Sequence, residues 1–240
     1  MTGSAVGSLV CLGVMALGLI PLMISRRRLA LANAVESTPL IPLNEVKSGR
    51  VATSGTIEAD GEVHLFSAVT GKKCVYWEVI VDENNGGDIE RLASQRTGVK
   101  VRLADGSTHC DIDFTGARVS HDAPYQQVHD THVTADGIRS FLKRHMGFLN
   151  RPRSLQTLRF RETLVAVGHR VNIYGTAVLA PSGQPMFSRS AGPLFVMLGT
   201  AEAATKELRH DARLYRQAAF TIWAIGVTGL AAFLWQRGLA

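Results

Sequence analysis

The sequence predicts a mainly β protein, a β-rich α+β domain of barrel or OB-like type, built from two related β-units and set between two apolar helices. Three observations predict it. A short motif occurs twice, alternating apolar and polar runs are divided by Asp-Gly and Pro-Ser-Gly turns, and an uncharged apolar stretch lies near each end. The first copy of the motif is Ser48–Thr56, SGRVATSGT, and the second lies within Arg161–Thr176, RETLVAVGHRVNIYGT. They align without a gap: Arg50, Val51, Gly55 and Thr56 correspond to Arg170, Val171, Gly175 and Thr176. Each copy reads as a turn feeding a strand that bends at its second glycine, because a glycine inside a strand marks a bulge or a close backbone approach.

At 240 residues the chain is long enough for one large domain or two small ones. Its net charge of +6 comes from Lys and Arg spread along the chain, with local enrichment where apolar segments end. That placement suits a membrane partner and argues against nucleic acid. The three cysteines, Cys11, Cys74 and Cys110, show no paired spacing, which excludes a disulfide framework and a closed zinc site.

From the N-terminus, Ala5–Ile24 is apolar and uncharged, and a first transmembrane helix is expected over 5–25, matching a hydrocarbon core of about 30 Å. A cleaved signal peptide is the rival reading, but Arg26, Arg27 and Arg28 follow the apolar run instead of preceding it. Residues 29–47 hold Pro39 and Pro42 and read as an extended linker. The β-rich domain is placed at 48–200. Within it, Val51 to Val63 predicts two strands around Ala59-Asp60-Gly61, and Cys74–Asp82 predicts a strand buried on both faces. Glu83–Gly87 reads as a polar loop.

Asp105-Gly106 is expected to form a two-residue hairpin turn, with Lys100 opposite Asp111 and facing solvent while Val101 and Cys110 face inward. Residues His121–His132 read as a loop and Thr134–Met146 as a short helix. Pro181-Ser182-Gly183 should turn between two further strands, and Gly192–Leu198 is again apolar. An amphipathic helix over 201–217 should continue into a second transmembrane helix over 218–236. Arg26, Arg27 and Arg28 after the first span and Lys206, Arg209, Arg213 and Arg216 before the second put the domain on the cytoplasmic side of a bacterial inner membrane, with the periplasmic side as the alternative.

Candidate chemistry is sparse. His121, His129 and His132 lie near one another but on a stretch that reads as a loop, which cannot aim metal ligands. Asp111 and Asp113 share a strand face, where a solvated pair with Lys100 outweighs a catalytic carboxylate dyad. Glu162 has no partner evident in the sequence and reads as a surface carboxylate. Cys74 sits among Val75 and Trp77, where burial raises a thiol pKa and opposes nucleophilic use. No catalytic residue, cofactor or metal is assigned. Arg50, Gly55, Gly168, Arg170 and Gly175 are the candidate interaction or structural positions.

The early Gly-Arg-Val-x-x-x-Gly-Thr, Cys74-x-Tyr76, Asp113-x-Thr115-Gly116 and Glu162-x5-Gly168-x2-Val171-x3-Gly175 resemble the GIDE family, whose module between two helices is the beside-a-membrane, or BAM, domain. The resemblance spans nearly the whole chain. It implies a relative of membrane-bound E3 ubiquitin ligases and, among them, of bacterial members in which the domain stands alone. Ligase activity in that family depends on a C-terminal RING, which needs about eight Cys and His ligands, whereas only QRGLA follows Trp235. The expected role is therefore a non-catalytic interaction or sensing module, with the bilayer and a membrane protein as partners and an oligomer left open. The alternatives are a ligase homologue that borrows its catalytic part, or a membrane-bound hydrolase.

Overall fold

The computed structural model describes residues 10, 13–59, 61, 65–85, 88–120, 126–129, 143 and 158–238. These fall into two compact units, a helical unit drawn from the chain ends and a β unit over Thr38–Ala201.

In the β unit the two motif copies become its two longest barrel strands, β2 (Gly49–Glu58) and β10 (Arg170–Leu179). They pair with each other, antiparallel, in a register that exchanges equivalent positions: Arg50 lies opposite Thr176, Val51 opposite Gly175, Gly55 opposite Val171 and Thr56 opposite Arg170. A local two-fold relation therefore passes through the central pair, Thr53 and Ile173. Both central residues are fully buried, and the Thr53 hydroxyl donates to the Ile41 carbonyl at 2.9 Å.

This pairing closes a ring. β2 pairs with β5 (Lys100–Asp105), β5 with β6 (Thr108–Asp113), β6 with β11 (Pro185–Phe187), and β11 with β10. Every neighbouring pair in the five-stranded barrel is antiparallel except β6–β11. Ile57, Leu103, Ile112, Val171, Ile173 and Phe187 fill its interior, each contributing roughly 1.5–3 kcal/mol by burial. β1 (Leu40–Ile41), β7 (Arg118–Val119) and β12 (Leu194–Met197) extend the same sheet. The Pro181-Ser182-Gly183 turn joins β10 to β11 as expected, with Gly183 at φ 80°.

A second, four-stranded sheet has the order β4-β3-β9-β8, with β3 (Tyr76–Asn85), β4 (Asp88–Gly98), β8 (Gln126–His129) and β9 (Leu158–Val165). The chain passes from this sheet to the barrel at Gly168, whose φ of 87° and bond to the Ile57 carbonyl (2.8 Å) fix the turn. The doubly buried strand expected at Cys74–Asp82 is present as β3. Several expectations differ. Strand pairing extends through Glu83–Asn85, within the expected loop, because Asn85 pairs with Asp88. Gln126–His129 forms a strand inside the expected His-rich loop, held by pairing with β9. The second strand expected after Ala59-Asp60-Gly61, up to Val63, lies outside the described residues; beyond it Phe66 makes an isolated bridge to Lys73. The helix expected at Thr134–Met146 lies outside the described residues apart from Lys143, which is helical.

The β5–β6 hairpin keeps its predicted faces but not its register. Asp105 pairs with Thr108, so the loop is Gly106-Ser107, and Lys100 stands opposite Asp113 with Arg102 opposite Asp111. A glycine at the first loop position, here with φ 62°, is what a type II′ turn requires. The offset is two residues, an even number, so Val101 and Cys110 still point inward and are 2% and 0% exposed. Lys100 nevertheless reaches Asp111 diagonally at 2.7 Å.

The helical unit holds α1 (Leu19–Ser37) and α2 (Ala201–Gly238). Much of the expected 29–47 linker is thus helical, since Leu29–Ser37 is rich in good helix formers and buries Ala32 and Val35. The Ser25 hydroxyl donates to the Ala212 carbonyl at 2.7 Å, Arg28 pairs with Asp211 at 2.8 Å, and Arg209 with Glu36 at 2.6 Å. Gly18 lets the Trp223 ring approach, and the indole N–H donates to the Met15 carbonyl at 2.9 Å. Among the described residues no helix is long and apolar enough to cross a membrane. That overturns the spans expected at 5–25 and 218–236, and with them the multi-pass reading and the integral placement in a bacterial inner membrane. Residues 5–9, 11 and 12 of the first span lie outside the described residues. Its described part meets Arg26–Arg28 at the middle of α1.

Candidate functional site

The five positions singled out by the repeat lie along the β2–β10 pair, and the fold gives them different jobs. Arg50 and Arg170 are exposed, point away from the barrel interior, and each faces the threonine of the other copy across the strands. They occupy opposite ends of the pair. Six residues of strand separate Arg50 from the Thr56–Arg170 level, about 20 Å at roughly 3.3 Å per residue, so the structure makes two equivalent Arg/Thr pairs and not one cluster.

The glycines are structural. A Cβ on Gly55 would stand 2.7 Å from the Ala104 carbonyl oxygen and from Leu103 Cγ, and one on Gly175 would come within 3.2–3.3 Å of Leu194, Phe187 and Pro193. Both positions allow the close approach that bends each strand from one partner to the next. Gly168 serves the turn between sheets. Beside it, the Ala166 amide donates to His169 Nδ1 at 3.3 Å, which requires the unprotonated nitrogen, and burial lowers the His169 pKa in the same direction.

The residue that the sequence reading missed is Glu162. Far from being a surface carboxylate, it is fully buried. Ser67 Oγ donates to its Oε1, as does the Val69 amide at 3.4 Å, and Thr70 Oγ1 donates to Oε2 at 2.8 Å. Cys74 lies nearby at 1% exposure, and burial, followed by the Glu162 charge, pushes its thiol up to about 12. A thiol so shifted is not a nucleophile at neutral pH. Next along β9, Arg161 pairs with the nearly buried Asp82 at 2.7 Å. The available signal was phase: Phe160, Glu162 and Leu164 share one face of β9, so a carboxylate in step with apolar neighbours is directed inward.

The remaining candidates separate. Asp111 is engaged by Lys100, while Asp113 accepts the Thr115 amide at 2.8 Å to set the following turn. His129 lies in β8 in register with Phe160, and His121 and His132 lie outside the described residues. Among the described residues no three His, Cys, Asp or Glu side chains are grouped to hold a metal. No family model, curated protein or solved structure matches the chain.

Proposed function

We propose that this chain is a non-catalytic interaction module. Its ring order, with one parallel pair, we read as an OB-like barrel, and the paired motif copies as two related β-units. The reading extends the resemblance to the GIDE family, in which the β unit would be the BAM domain. The observation that carries it is the two exposed arginines, Arg50 facing the half-buried Thr176 and Arg170 facing the half-buried Thr56, set at both ends of the strand pair that closes the barrel. Guanidinium groups next to hydroxyls favour carboxylate or phosphate groups of a partner. A rigid two-stranded base holds them at a fixed separation, which favours a partner surface over a small ligand.

Crosslinking mass spectrometry on the full chain in its native cells tests this. The expected result is a stoichiometric partner crosslinked near Arg50 or Arg170, lost on combining Arg50→Glu with Arg170→Glu while the circular dichroism spectrum is unchanged. Retention of the same partner by the doubly reversed variant would contradict the reading.

A further inference from the structure

The buried carboxylate of Glu162 plays no part in the binding reading. It sits in the middle of the face that β3 and β9 turn toward the smaller core, opposite Val79, with the pairs Phe160–Val81 and Leu164–Trp77 on either side. Among the described residues the cover of this face comes from the loop Leu65–Cys74, which contributes Ala68, Val69, Cys74 and Leu65, the last also packing against the barrel core. The loop is closed on itself. Its Ser67 amide donates to the Lys72 carbonyl at 2.8 Å, its Gly71 amide to the Ser67 carbonyl at 3.1 Å, and its Cys74 amide to the Leu65 carbonyl at 2.9 Å.

What fastens the loop to the sheet is a convergence of three donors, the Ser67 and Thr70 hydroxyls and the Val69 amide, on the one carboxylate. A carboxylate in an apolar face is costly unless such donors meet it. The dependence is mutual: the donors compensate the charge, and the charge holds the loop in place.

We propose that Leu65–Cys74 is a strap latched by Glu162, which opens without unfolding of the barrel.

The two described cysteines report on the strap. Cys74 lies at its end and Cys110 in the barrel interior; both thiols are buried and pushed up to about 12, so neither reacts in the closed state. The full chain is treated with iodoacetamide across a urea series and the modified cysteines are mapped by mass spectrometry. A separate strap gives Cys74 labelling that depends weakly on urea, while Cys110 labelling follows global unfolding. Glu162→Gln and Thr70→Val are each expected to raise the Cys74 rate about 10- to 100-fold, leaving Cys110 unchanged. Labelling of Cys74 and Cys110 in step across the wild-type urea series would overturn the proposal, and that comparison decides alone if a variant fails to fold.

Discussion

A methyl group at Gly55 has nowhere to go. The atoms it would meet at 2.7 Å include the Ala104 carbonyl oxygen, part of the β5 backbone, which cannot retreat without loosening the barrel. Gly55→Ala should therefore cost roughly 2–3 kcal/mol in urea unfolding. Gly49→Ala meets nothing within 4 Å, so its cost comes from backbone strain alone, roughly 1–3 kcal/mol at a φ of 122°. A cost at Gly55 below about 1 kcal/mol would argue against close packing there. Gly55 and Gly175 were legible in the sequence because a glycine inside a β-compatible run weakens the strand, a cost that a bulge or a close backbone approach offsets. Glu162 was not: a lone carboxylate is usually solvated, and the Ser67 and Thr70 that satisfy it lie more than ninety residues away in the chain.

At the scale of elements, hydrophobic alternation located strands well when one face was apolar, as in β5 and β6. It could not fix their register, because Asp105-Gly106 and Gly106-Ser107 are both acceptable turns and keep the same side chains inside. The consequence is measurable. In double-mutant cycles Lys100 should couple to Asp111, its diagonal ion-pair partner, by up to about 1 kcal/mol and by less to Asp113, its direct cross-strand neighbour. Stronger coupling to Asp113 would contradict the observed side-chain geometry. β4 escaped the sequence reading for a different reason. DIERLASQRTG carries no apolar alternation, and the strand is defined by its pairing with β3. Among the described residues it is an edge strand, and its register with β3 slips between Val81 and Asp82. Charge and a bulge are both devices that discourage further pairing at an edge. α1 was missed in its second half because Pro39 and Pro42 drew the linker forward, whereas Ala32 and Val35 extend the helix to Ser37.

For the whole molecule, the repeated motif predicted that a β-unit occurs twice but not that the two copies bind each other. Pairing between segments 120 residues apart leaves no local trace in a sequence. It emerges from the register, in which Arg50–Thr176 and Thr56–Arg170 are equivalent pairs about Thr53 and Ile173. Barrel closure and the placement of both exposed arginines follow from that pairing. The most direct test is a disulfide across it. Ser54 and Asn172 lie directly opposite one another on the outer face, at a separation that a disulfide spans. The combination Ser54→Cys with Asn172→Cys should form an intramolecular disulfide in the folded protein, and Ser54→Cys with Thr176→Cys should not. A bond in the second combination, or in neither, would contradict closure of the barrel by the two motif copies.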